Sequence, residues 1–154
     1  MLSPEKRLLK QTRCADIFVR SWTLRNLIRP AGRISVKVHN WSAMAWEEVT
    51  PSISRKIVTG VNEMIAHVRL EKGAVVPEHS HVSEQISYIL EGCLKFWVGG
   101  EELILRAGDV TVIPPNAPHR VLALEDTLDV DIFSPIRQDW LDHTDSYFHR
   151  RDGE

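Results

Sequence analysis

The 154-residue chain has little cysteine, few aromatics and no long apolar run, and each shortage excludes something. Its two cysteines, Cys14 and Cys93, lack CxxC spacing, which argues against a disulfide framework and for a reducing, cytoplasmic setting. No stretch approaches the ~20 apolar residues that span a bilayer, so a membrane bundle is excluded and no membrane partner is expected. Near the N-terminus the longest apolar run is Ile17-Phe18-Val19, too short for the hydrophobic part of a secretory signal. Internal repeats, low-complexity segments and a helix-turn-helix pattern are absent, and nothing points to a nucleic-acid module. What is present is ordinary globular composition, 43% hydrophobic and 26% charged, in a length that suits one domain.

The net charge of −2 hides an asymmetry. Residues 1–40 carry nine Lys/Arg against two acids, whereas residues 41–154 carry ten against nineteen. The split predicts a basic N-terminal extension, poorly ordered, ahead of an acidic body over 41–142 and a C-terminal tail over 143–154. An organelle presequence and a basic arm are the other readings of the extension. Phe18 and Trp22 are too sparse an aromatic interleaving for RNA or DNA binding.

The body reads as short strands. Met64, Ala66, Val68 and Leu70 alternate with Ile65, His67 and Arg69, a period of two. Further runs at Gln85 to Leu90, Leu94 to Val98, Leu103 to Leu105, Val110 to Ile113, Val121 to Leu124 and Leu128 to Phe133 are separated by turn signals, Gly99-Gly100 the strongest. This spacing predicts an all-β sandwich or barrel. One short helix is expected near Arg137 to His143, with Ile136, Trp140 and Leu141 on one side.

Two segments carry chemistry. In a strand, residues two apart share a face, so His79 and His81 project together, with Ser83 and Gln85 continuing that face and Glu84 opposite. A bulge would exchange Glu84 for Gln85. His119 follows the rigid turn Pro114-Pro115-Asn116-Ala117-Pro118. Three imidazoles and one amide oxygen suit a divalent ion with positions left for water or substrate.

The first segment resembles cupin motif 1: Gly73, His79, His81 and Gly92 are in register, and Gln85 stands where the motif has glutamate. The second resembles motif 2 through Gly108, Pro114 and His119, with Asn116 in place of glycine and Ala123 in place of the final asparagine. The resemblance implies a single-domain cupin, a double-stranded β-helix or jelly-roll barrel. Ser54-Arg55-Lys56 and the ending Asp131-Ile132-Phe133-Ser134-Pro135-Ile136-Arg137-Gln138-Asp139-Trp140-Leu141 are similar to those of KdgF-type proteins over about residues 46–142. Members of that family convert the unsaturated monouronate left by pectin and alginate lyases into a linear 5-keto-4-deoxyuronate.

Carried over, the family implies His79, His81, Gln85 and His119 as ligands of a divalent metal (nickel, iron, manganese or zinc). It implies Asp131, Phe133 and Arg137 as substrate-site residues, and an acidic sugar as the small-molecule partner. Asp131 suits acid/base work, with Asp129 of the same parity as a stand-in. Arg137 suits a two-bond clamp on a carboxylate, or else pairs with Asp139. Other metal-dependent cupin enzymes, such as a dioxygenase or a lyase, and a non-enzymatic metabolite-binding module are the rival functions. Exposed strand edges predict a homodimer.

Overall fold

A computed structural model describes residues 35–149. The expectations about the basic extension therefore fall almost wholly outside the described residues. The chain divides into two units, Met1–Lys37 and Val38–Glu154.

Ten strands are present among the described residues: β1 (Glu47–Thr50), β2 (Ile53–Thr59), β3 (Met64–Leu70), β4 (Val75–His79), β5 (Glu84–Glu91), β6 (Cys93–Val98), β7 (Glu101–Arg106), β8 (Val110–Ile113), β9 (His119–Ala123) and β10 (Thr127–Ser134). A 3-10 turn at Trp41–Ala43 precedes them, and the helical turn α1 (Gln138–Leu141) and a 3-10 turn at Ser146–His149 follow. The strands form two antiparallel sheets, in the orders β1-β2-β3-β10-β5-β8 and β4-β9-β6-β7. The all-β architecture expected from the short alternating runs is what the chain adopts.

Period-two alternation decides which residues face inward. In β3 the side chains of Met64, Ala66, Val68 and Leu70 are buried and Arg69 is exposed. They meet Leu94 and Phe96 of β6, Val121 and Ala123 of β9, Ile89 of β5 and Ile113 of β8 in one apolar core. Each such large side chain contributes about 1.5–3 kcal/mol on burial. That apolar core leaves the fold able to tolerate polar groups on the same inner faces.

The polar groups are concentrated in β5 and β10. Cross-strand register places Met64, Phe133, Gln85 and Ile113 in one row and Ala66, Asp131, Ser87 and Thr111 in the next. All of these but Thr111 are buried, the polar Gln85, Ser87 and Asp131 among them. The outward faces of β5, β8 and β10 carry exposed apolar side chains: Tyr88, Val110, Val112 and Ile132 are 36–56% exposed.

Several expectations are corrected. His79 to Gln85 is not one strand: β4 ends at His79, residues 80–83 cross between the sheets, and Gln85 begins anew on β5. Pro77 and the bulge between Val76 and His79 weaken β4 as a ladder, and this explains its early end. The short helix exists, but Leu141 is exposed while Trp140 is buried. Residues 143–149, assigned to a tail, include the 3-10 turn whose Tyr147 is buried. Cys93 is a buried free thiol, and no described helix is long and apolar enough to cross a membrane.

Candidate metal centre

Two of the three histidines are placed by strand pairing. His79 ends β4, His119 opens β9, and the two are direct cross-strand partners with ring centroids 4.2 Å apart. His81 arrives from the crossover, which is tied to the proline-rich loop where the Asn116 N–H donates to the His81 carbonyl at 2.7 Å. That loop turns at Asn116 with φ +62°, a left-handed conformation that Asn tolerates in place of glycine. One ligating nitrogen from each of the three rings lies within 4.8 Å of the others.

The second nitrogen of each ring sets the tautomer. Nδ1 of His79 contacts the Pro77 carbonyl at 2.9 Å, that of His81 the Ser83 carbonyl at 2.8 Å, and that of His119 the Ala117 carbonyl at 2.8 Å. A carbonyl only accepts, so in the neutral rings Nδ1 carries the proton and Nε2 presents a lone pair. Nε2 of His119 is buried with no partner among the described residues. Burial also holds the rings neutral. His79 is pushed down to about 3 by desolvation and then by the neighbouring His119. His81 is pushed down to about 4 by desolvation and then by the positive Arg137.

Gln85 closes the set. Its Nε2 donates to Ser87 Oγ at 2.9 Å and to Asp131 Oδ1 at 2.8 Å, which turns Oε1 to 3.1 Å from His81 Nε2. While Asp131 accepts, this orientation sets two lone pairs against each other. A cation between them removes the conflict, and the buried, unpartnered His119 nitrogen needs the same partner. The donor set therefore fits a divalent ion. Three neutral imidazoles and a neutral amide leave such an ion its full double charge. Glu84, the alternative ligand, is exposed and has the opposite parity.

Behind Gln85 lies a buried carboxyl pair. Desolvation, followed by the charge of Asp131, raises the pKa of Asp129 well above the ordinary carboxyl range. Desolvation also raises Asp131, opposed by hydrogen bonds from Ser87 and Gln85 and by the charge of Arg137. Leaving two bare carboxylates side by side in a dry interior costs several kcal/mol each, which favours the protonated form of Asp129, whose Oδ1 is buried without a partner among the described residues. Asp131 is then the acceptor, as the Gln85 orientation requires.

Arg137 is buried beside the cluster. Its Nε and Nη2 donate to the two Asp139 oxygens at 2.9 and 2.6 Å. Asp139 thus occupies the fork expected to clamp a ligand, and Nη1, buried and unpartnered, is the prong that remains. Phe133 is fully buried and packs edge-on to the His81 ring at 5.6 Å and to Trp140 at 5.0 Å.

The structure brings the residues singled out from sequence to one place. Gln85, His79, His119, Asp131, Phe133 and Arg137 line a single cavity of about 40 Å³, and His81, not part of that lining, contacts Gln85. Three participants were missed. Ser87 was legible only as a small polar residue two places beyond Gln85 in an Ile-rich strand. Arg55 sits buried between Glu47 and Asp145 at 2.8 and 2.7 Å, a role that Ser54-Arg55-Lys56 does not disclose. Tyr147 has no periodic signal around it, yet its ring stacks on His79 at 4.1 Å.

Comparison with known proteins agrees with this geometry. The cupin-domain pattern matches residues 66–134, which hold all three histidines, Gln85 and Asp131. KdgF from Halomonas sp. superposes with a TM-score of 0.66 at 35% identity, covering 69% of this chain and 99% of that one. An RmlC-like cupin from Shewanella frigidimarina gives 0.65 at 27% identity, covering 69% and 96%. An uncharacterized protein of Methanocaldococcus jannaschii is 35% identical over 66 residues, 42% of this chain, and the chain spans about half of its length, 53%. A barrel of this topology, with its histidines in the matched segments and a relative shared almost end to end, belongs to the cupin family.

Proposed function

We propose that the protein is a metal-dependent enzyme that converts 4,5-unsaturated monouronates into linear 5-keto-4-deoxyuronate by ring opening and tautomerisation, in the breakdown of polyuronates. The observation that carries this reading is the facing pair His81 Nε2 and Gln85 Oε1, 3.1 Å apart, beside a buried acid and a buried guanidinium with a free prong. His79, His81, Gln85 and His119 would hold a divalent ion, which would supply Lewis-acid stabilisation of a developing enolate oxygen.

The chain's own residues do the rest. The free Nη1 of Arg137 binds the substrate carboxylate by a charge-assisted hydrogen bond. Asp131, in hydrogen-bond contact with Gln85 and Ser87, takes up and returns a proton. Asp129 holds the proton that keeps Asp131 an acceptor. Phe133 closes one wall and excludes water. No electron transfer is needed, so a redox cofactor is not part of the reading. The neutral donor set favours an anionic sugar, because a carboxylate ligand would lower the charge that attracts it.

The test is turnover of a lyase-generated unsaturated monouronate under strict anaerobiosis, read as loss of the C4–C5 double-bond absorbance. Turnover that falls at least a hundredfold in Asp131→Asn, with KM raised about tenfold or more in Arg137→Ala, is the expected result. A requirement for oxygen would assign a dioxygenase instead, and tight binding without turnover a binding module.

A further inference from the structure

We propose that the 3-10 turn Ser146–His149 is a gate over the imidazole cluster, with Tyr147 as the plug and the Asp145–Arg55 ion pair as the latch. The proposal goes beyond the catalytic reading and shares with it the metal site and Arg137.

The argument begins with two cavities. The inner one, which holds the site residues, has about 40 Å³, room for roughly three waters. An outer groove of about 420 Å³ is bordered by Glu78, Ser80, Asp139 and the segment Thr144 to Ser146. The residues lining both are His79 and Tyr147. Their rings are parallel within 7° at 4.1 Å, so the partition between groove and site is this stacked pair. A ligand passing from this groove to the imidazoles therefore passes between these two rings, and one of them must move.

The walls differ in how firmly they are held. His79 belongs to a strand laddered to β9. The turn that carries Tyr147 has no ladder. Its backbone bonds are local: Thr144 N–H to the Asp139 carbonyl at 2.9 Å, Ser146 N–H to Thr144 at 2.7 Å and Phe148 N–H to Asp145 at 3.4 Å. Its ties to the barrel run through side chains. Asp145 pairs with Arg55 at 2.7 Å, and the Tyr147 hydroxyl accepts from Trp140 Nε1 at 3.0 Å and from Arg137 Nη2 at 3.2 Å. Local bonds and a few side-chain contacts open at lower cost than a sheet, and the turn is the wall that gives way. Closed, it puts the Tyr147 hydroxyl against Arg137, so opening also frees one N–H of Nη2, the nitrogen whose other bond goes to Asp139.

The experiment follows zinc alone, with uptake by the apo-protein and release to a chromogenic chelator both measured. A gate changes the two rates by the same factor and leaves affinity alone. In Tyr147→Ala both rates are expected to rise tenfold or more with Kd within threefold of the parent, and Asp145→Asn is expected to shift both rates in the same direction. Unchanged rates, or faster release without faster uptake, would overturn the gate, the latter showing that Tyr147 merely supports His79. Hydrogen exchange of the parent apo-protein decides the matter even where Tyr147→Ala fails to fold. The Ser146 and Phe148 amides are expected to exchange at least a hundredfold faster than those of β5 and β10, and equal protection would contradict the proposal. A chain that takes up no zinc would sink the metal reading, while the exchange measurement would still judge the turn.

Discussion

At the residue scale, Gln85 and Asp129 show how the site manages charge. The amide of Gln85 gives its nitrogen to Asp131 and its oxygen to the metal locus, a division of labour that a glutamate in its place cannot perform. Asp129 carries the cost of the buried carboxyl pair. Its pKa in the fold is raised above the unfolded value, so its favourable contribution is complete at acid pH and is lost as pH rises. Asp129→Asn removes that dependence. The variant is expected to be more stable than the parent by a margin that widens from pH 4.5 to pH 8, by up to ~1.4 kcal/mol per pH unit while the parent keeps its proton. Thermal unfolding across that range checks it, and a constant or reversed margin would contradict it. The histidines and Gln85 were legible as residues because the motif spacing exposes them. The raised pKa of Asp129 was not: the common parity of Asp129 and Asp131 was visible, but not that both lie in a dry interior.

At the element scale, legibility followed how cleanly a strand alternates. The β6–β7 hairpin is announced by Gly99-Gly100, and β3 by its period of two. Strand β2 is hidden because Arg55 and Lys56 read as surface charge. Both are buried, Arg55 by its two ion pairs and Lys56 by donating to the Trp41 carbonyl at 2.6 Å and lying over Trp46. Strand β4 is hidden by Pro77, tolerated because β4 is at the edge of its sheet. Strand β10 is inverted, with Asp129 and Asp131 inward and Val130 and Ile132 on the opposite parity. Gly92, between β5 and β6, has φ +87°, and a Cβ there would overlap the Asp126 carbonyl oxygen and Thr127. Gly92→Ala is expected to destabilise the barrel by about 3 kcal/mol or more, read as a lower urea midpoint with an unchanged slope. A midpoint within error of the parent would show that the β5–β6 turn relaxes freely.

At the scale of the whole molecule, the two sheets enclose a core that is apolar around Phe96 and Leu94 and polar around the histidines. The basic residues 1–34 lie outside the described residues. The Asn40 side chain caps the 3-10 turn at Trp41–Ala43, and Trp41 stacks on His67 at 4.1 Å. Removal of residues 1–37 is expected to leave the melting temperature within about 2 °C of the full chain and turnover unchanged, whereas a collapse of either would tie the extension to the barrel. Fold and site were legible together because one motif pair specifies both the turns and the ligands. The segment beyond Leu141 was not, since its Tyr147 and Asp145 act only through distant partners. The most direct measurement is the metal content of the purified chain after equilibration with a divalent ion and removal of the excess. One ion per chain in the parent, and none in His81→Ala with its β-sheet signal intact, is what this account predicts. An ion-free parent, or a variant that still holds its ion, would contradict it.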